Sequence, residues 1–252
     1  MKTNKKSNLD IFVCSHNDFN QVVTSDTYTV INSNDIKDDV DLPLDDKFYS
    51  ELYHFKYVHD NIKLKKYVGF CHYGRYFDFL DEIPDMNERF GKFDCIVSKP
   101  LTFDETIYEH YNGVHNVEDL ELVGKIIKKK FPSYYNAFET FTNGNIFVPY
   151  NMFIMRRGDF KKYIKFVFTI LDEYLKIVGT DINKRIEENK DKYLKDFYPN
   201  NTIEYQYRIG GYLAERLTNV FLMKNFKKMK IYDVIITEEK YKEKQHNEKE
   251  HS

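Results

Sequence analysis

The sequence predicts an α/β protein, with a β-sheet built mainly in the first half of the chain and a mainly helical second half. Three observations carry this. Apolar runs of strand length alternate with segments of helical period through the first half. The second half holds a long 3.6-period stripe. No internal repeat and no Pro/Gly/Ser linker divides the 252 residues, and 42% hydrophobic content supplies one sizeable core, so a single domain is favoured.

Leu9–Cys14 is an apolar run that empties into Ser15-His16-Asn17-Asp18, the form of a buried strand feeding a polar loop. Thr27–Ile31 reads as a second strand, closed by Asn32-Ser33-Asn34-Asp35. From Asp45 the period becomes helical: Phe48, Leu52, Phe55 and His59 share a face, with Asp45 or Asp46 placed to cap the start. Tyr67–Cys71 and Asp94–Val97 are the third and fourth strands. Asn116 as cap and Asp119 as first-turn acid precede Leu120, Val123 and Ile127, and Pro132 stops that helix. Asn145–Val148 and Met152–Met155 read as strands around Pro149. Phe160, Ile164, Val167, Leu171, Tyr174 and Val178 line one face of the clearest helix, and another follows Gly210-Gly211. Residues 1–8 read as a flexible N-terminus, 9–237 as the domain, and 238–252 as a charged mobile tail.

Charge and composition narrow the function. With 38 Lys+Arg against 40 Asp+Glu, the chain lacks the basic excess of a protein that coats nucleic acid. The lysines at 125, 128, 129 and 130 sit where a helix C-terminus attracts cations. The first residues have no apolar h-region, and no apolar run reaches the length of a membrane span. Cys14, Cys71 and Cys95 each lie in a strand-like run and read as buried free thiols in a reducing compartment. The expectation is a cytoplasmic protein, with room for peripheral contact with a membrane through an acceptor. Its 21 Tyr and 21 Phe, without any Trp, follow mostly from AT-rich codon usage.

Ligands in open α/β sheets bind beyond the carboxyl ends of the strands. That rule selects Ser15-His16-Asn17-Asp18, His72-Tyr73-Gly74-Arg75-Tyr76-Phe77 and Ser98-Lys99-Pro100. GxGxxG, P-loop, GxSxG and HExxH motifs are all missing. Arg75 is a fixed positive fork for phosphate, His72 a donor or acid/base, and Tyr73 and Tyr76 are rings able to stack on a base or sugar. On the residues alone, core packing accounts for the same rings equally well.

These residues also carry a resemblance. Ile11–His16, Glu51-Leu52-Tyr53, Val68–Tyr73 with Arg75-Tyr76-Phe77, Tyr111 through His115 to Leu120, Tyr150–Met155 and Gly211–Leu217 resemble successive blocks of one family. It is the exopolysaccharide- and capsule-type glycosyltransferases catalogued as domain of unknown function 4422. The resemblance implies a GT-A-like, Rossmann-like domain with a mixed, mostly parallel sheet flanked by helices. It implies transfer of a sugar from a nucleotide-diphosphosugar donor to a glycan or lipid-linked acceptor. Ser15, His16, His72, Tyr73, Arg75, Tyr76 and Lys99 would bind donor, Asn151 and Arg216 the sugar or acceptor. Glu215 and His72 are the expected acid/base residues. Gly74 departs from the family's usual Arg, removing one guanidinium beside the diphosphate.

The sequence leaves divalent metal dependence open. Its literal Asp-x-Asp, Asp39-Val40-Asp41, precedes a helix and reads as a solvated loop, whereas Asp78 and Asp81 follow the distinctive block. Without a metal, His72, Arg75 and Lys99 would have to stabilise the leaving phosphate. The alternative to an enzyme is a catalytically silent nucleotide- or sugar-binding module on the same scaffold.

Overall fold

The computed structural model describes residues 8–195 and 201–237. β1 (Leu9–Ser15) pairs in parallel with β2 (Tyr28–Asn32) on one side and β3 (Tyr67–His72) on the other. β4 (Arg75–Phe77) turns back from the end of β3. Next come β5 (Cys95–Ser98) and a detached ribbon of β6 (Leu101–Thr102) with β7 (Ile146–Phe147). β8 (Phe153–Arg156) inserts antiparallel between β3 and β5. β9 (Met229–Tyr232) runs parallel to β5, and β10 (Val234–Ile236) pairs antiparallel with β4. The carboxyl ends of β1, β2, β3 and β5 therefore meet the amino end of β8 along one edge.

The helices are α1 (Asp46–Tyr49), α2 (Glu51–Asn61), α3 (Met86–Lys92), α4 (Ile107–Val114), α5 (Val117–Lys130) and α6 (Pro132–Thr142). They continue with α7 (Arg157–Val178), α8 (Ile182–Glu188), α9 (Lys190–Tyr193), α10 (Ile203–Tyr207) and α11 (Ile209–Asn225).

Strand alternation divides the interior in two. Phe12 and Cys14 of β1, Val68 and Phe70 of β3, Cys95 and Val97 of β5, and Phe153 and Met155 of β8 face the large helical layer. Leu9, Ile11, Val13, Tyr67, Cys71, Ile96 and Ile154 face a thin layer closed by Met86 and Phe90 of α3 with Tyr76 and Phe77. The flanking helices are thus concentrated on one face. Phe55 of α2 sits 3.9 Å from Phe70 between ring centroids, and Phe153, Phe160 and Tyr163 complete the cluster. Each such fully buried ring contributes about 1.5–3 kcal/mol.

Several local expectations are refined. Asp45 is the cap, its carboxylate accepting from the Phe48 amide at 3.2 Å. The predicted first helix breaks at Ser50, whose φ of 50° restarts the chain as α2 at Glu51. Gly210 and Gly211 lie inside the first turn of α11 rather than before it, because α1 packs against them. A Cβ on Gly211 would stand 2.4 Å from Ser50 Oγ. Asn116 caps α5 as predicted, but Asp119 is buried and accepts from Tyr174, Tyr193 and Arg185 at 2.7–2.8 Å instead of facing solvent near the helix dipole. The helical second half returns to the sheet through β9 and β10, which alternation too short to register had hidden. All three cysteines are free and buried. Residues 1–7 and the charged tail from 238 lie outside the described residues.

Candidate active site

At the carboxyl edge of the sheet the β1, β2 and β3 loops, α1, the start of α2, the turn before β8 and the α10–α11 junction enclose a cavity of about 670 Å³. Its lining includes His16, Asn17, Asn34, Lys47, Glu51, His72, Tyr73, Arg75, Tyr150, Arg208 and Glu215. That volume is in the range that holds a small-molecule ligand.

Glu51 anchors the floor. It is the first residue of α2, where backbone amides and the helix dipole favour a carboxylate. His72 Nδ1 lies 3.4 Å from Glu51 Oε1, and Asn151 Nδ2 donates to Oε2 at 3.2 Å. Burial pushes the Glu51 carboxyl up, but His72, Arg208 and these hydrogen bonds outweigh it and hold the group below its ordinary value.

Tyr150 ties the floor to its walls. His72 Nε2 donates to the Tyr150 carbonyl at 2.6 Å, and the Tyr150 amide donates to Glu215 Oε1 at 2.9 Å. The Arg75 guanidinium stacks over the Tyr150 ring at 4.3 Å, with its Nε unpartnered. Tyr150 and Asn151 have φ of 73° and 51°, the left-handed region, which costs a tyrosine more than an asparagine. The surrounding bonds impose that turn.

Glu215 differs from Glu51. Its side chain is 22% exposed, and Arg216 Nη1 approaches Oε2 at 3.3 Å. Burial raises its carboxyl above the ordinary value; Arg216 opposes that, while the negative charge of Glu51 adds to it. The cavity therefore holds two carboxylates displaced in opposite directions, a pattern that separates acid/base roles.

Above them, His16 Nδ1 is 3.1 Å from Asp46 Oδ2, and this bond holds the Asp46 carboxyl down at about 2. His54, wholly buried on α2, donates through Nε2 to the Ser15 carbonyl at 2.9 Å, and burial lowers its pKa to about 4. The neutral ring pins the loop after β1.

The structure brings His16, His72, Tyr73, Arg75 and Glu215 to the cavity. Other expected residues lie elsewhere. Tyr76 alternates with Arg75 on β4 and is wholly buried against Tyr28. Ser15 is buried, its hydroxyl turned to its own loop at Asn17. Lys99 is exposed and pairs with Asp233 at 3.0 Å beyond β5. Asn151, 1% exposed, faces Glu51 and Thr218 rather than a sugar. Arg216 is buried over the Tyr111 and Phe147 rings. His72 lines the cavity with Nε2 toward the Tyr150 carbonyl and Nδ1 toward Glu51.

The metal candidates do not converge. Asp81 accepts from the Thr24 and Ser25 amides, Asp78 is exposed on the loop after β4, and Asp39 and Asp41 are exposed before α1. Among the described residues, no group of three His, Cys, Asp or Glu side chains is placed to hold a metal. Three of the cavity's carboxylates are already engaged, Asp46 by His16, Glu51 by Asn151 beside His72, and Glu215 by the Tyr150 amide and Arg216, while Glu204 is exposed at the rim.

Sequence reasoning did not assign Glu51, Tyr150, Lys47 or Arg208 to the site. Glu51 and Tyr150 each opened one of the resembled blocks, and Glu51 was also an acid opening an apolar helical stripe. Lys47 on the single turn of α1 and Arg208 at the α10–α11 junction carried no such mark.

A sequence model of the family described as a domain of unknown function (DUF4422) matches residues 10–228. The fold is shared with WbbM, a bifunctional glycosyltransferase solved in its apo form. The TM-score is 0.70 at 20% identity, over 91% of this chain and 45% of that one. The chain thus spans less than half of WbbM, and the likeness is one of fold, bearing out the GT-A-like arrangement. No curated protein sequence matches the chain.

Proposed function

The chain belongs to the DUF4422 family, and from that premise we propose that it transfers a sugar from a nucleotide-diphosphosugar to a hydroxyl of a glycan or lipid-linked acceptor. The observation that carries the reading is one cavity holding Arg75, Arg208 and Lys47 together with two oppositely displaced carboxylates, Glu51 and Glu215. The shared fold with a protein named as a glycosyltransferase supports it.

The residues divide the work by chemistry. Arg75, planar and lining the cavity, offers its guanidinium to a diphosphate, and Arg208 and Lys47 add positive charge to the same cavity. These groups stabilise the nucleoside diphosphate as it leaves the anomeric carbon. In the inverting form of the reaction, Glu215 accepts the acceptor hydroxyl's proton as that oxygen bonds to the anomeric carbon; its raised pKa makes it the better base. Glu51 stays ionised and fixes His72, a positioning role. Tyr73, half-buried at the β3–β4 turn beside Phe19, is the ring left for a base or sugar face.

The test is a panel of nucleoside diphosphates and nucleotide sugars, read by thermal shift and by slow donor hydrolysis. A rise in Tm with one nucleoside diphosphate and hydrolysis of its sugar are expected; no shift with any member sinks the reading. A second reading, a silent binding module, is favoured by Gly74, which puts no side chain where the resembled family carries a guanidinium. Donor binding without hydrolysis or transfer would select it.

A further inference from the structure

Behind the cavity lies a buried run of hydrogen bonds whose direction is fixed by proton count. Asn151 places one end of its amide 3.2 Å from Glu51 Oε2 and the other 2.7 Å from Thr218 Oγ1. A carboxylate accepts only, so Nδ2 faces Glu51 and Oδ1 faces Thr218. Oδ1 and the Ala214 carbonyl, 2.8 Å from Thr218 Oγ1, both accept only, so the single Thr218 proton is shared between them. The Thr218 oxygen is then left to accept from Tyr163, whose hydroxyl is 2.8 Å away and wholly buried. The Tyr163 hydroxyl thus donates to Thr218, Thr218 to Asn151 and Ala214, and Asn151 to Glu51.

His72 sits on the far side of Glu51 and meets the same constraint. Its Nε2 faces a carbonyl, so that nitrogen carries a proton. Its Nδ1 faces Glu51 Oε1 at 3.4 Å, and two lone pairs there would repel. A proton on Nδ1 as well makes the ring an imidazolium that clamps Tyr150, and the Tyr150 ring carries Arg75.

We infer that Asn151 is a positioning residue: it ends a one-way donor chain from Tyr163 and Thr218 that holds Glu51 as an anion, so that Glu51 keeps His72 doubly protonated and His72 holds the Tyr150–Arg75 stack in place. This rests on the glycosyl-transfer reading only for its purpose, which is to keep Arg75 aimed at the diphosphate. The charged and titratable groups around the Glu51–His72 pair include Arg208 at the start of α11, Glu215 on α11, His54 on α2 itself, Cys14 on β1, Tyr163 on α7 and Arg75 on β4 over the Tyr150 ring. Arg208 supports the Glu51 anion, and Glu215 opposes it.

Nitrogen-15 NMR of the full chain with labelled histidine tests this without any donor. The His72 signals are identified by their loss in His72→Gln. Wild-type His72 is expected to show both ring nitrogens protonated at pH 7. In Glu51→Gln it should become the neutral Nε2–H form. In Asn151→Gly, which tolerates the left-handed turn, deprotonation should move down by about half a pH unit or more, as expected for a carboxylate no longer held against the ring. Thr218→Val keeps the backbone and shape and should move it the same way by less, which keeps the test open if the Gly variant does not fold. A neutral wild-type ring at pH 7, or a midpoint unmoved in the folded Asn151 or Thr218 variant, overturns the inference. Those results would leave donor binding untouched, whereas a chain that binds no nucleoside diphosphate would remove the transferase reading and leave the His72 result standing.

Discussion

Replacing Arg75 with Ala separates binding from folding better than any other change at the cavity. Arg75 takes part in none of the ion pairs among the described residues, and its guanidinium stacks on Tyr150 at 4.3 Å. A half-exposed cation–π contact contributes about 0.5–1 kcal/mol. For a chain of this size that lowers Tm by about 1–4 °C, given about 2–4 °C per kcal/mol. Each charge-assisted hydrogen bond to a diphosphate contributes about 1.5–3 kcal/mol. Losing one such bond raises the nucleoside diphosphate Kd about 10- to 150-fold. Calorimetric titration of the nucleoside diphosphate that binds best, with melting curves of the unliganded variants, measures both quantities. Arg75→Lys keeps a point charge but loses the planar fork, and its affinity should fall between the two. A Kd within twofold of wild type for Arg75→Ala, with the fold intact, would refute the assignment of Arg75 to the diphosphate.

Three further predictions address other parts of the molecule. Glu215→Gln keeps shape but cannot take a proton, so donor affinity should hold while transfer falls by about 10²- to 10⁴-fold; equal loss of both would assign Glu215 to binding instead. Gly211→Ala places a methyl 2.4 Å from Ser50 Oγ and 2.8 Å from its Cβ, a clash of the kind that costs about 1–3 kcal/mol, and the melting temperature should drop accordingly. Asp46 has a folded pKa of about 2 against an ordinary 3.8, because of its bond to His16. The folded value is the lower one, so its contribution to stability is present above pH about 4 and is lost as pH falls toward 2. Melting temperature against pH should be shallower over that window in Asp46→Asn, and an unchanged slope would remove the Asp46–His16 bond as its source.

Local pattern made some of this legible. The apolar runs at Leu9, Tyr67 and Asp94 became β1, β3 and β5, because buried parallel strands read as continuous hydrophobic stretches. The stripe from Phe160 to Val178 became α7, since its period alone places one face on the sheet. β9 and β10 escaped reading because three- to four-residue strands have too few alternations to stand out. Within the site, Arg75 and Tyr76 looked equivalent as neighbours in one block, yet the pleat sends one to the cavity and the other into the core.

By itself the sequence determined where strands end in polar loops, and hence which edge of the sheet would carry ligand. It also determined that a positive fork at Arg75 and an acid at Glu215 were available. Only the tertiary structure decided that Glu51, Asn151 and Thr218 form one hydrogen-bonded line, and that Tyr150 joins His72 to Glu215. Partners separated by 65 to 100 positions are set by how α2, α11 and the turn before β8 pack. The direction of a buried hydrogen bond, and so the protonation of the groups it joins, exists only once those elements have met and excluded water.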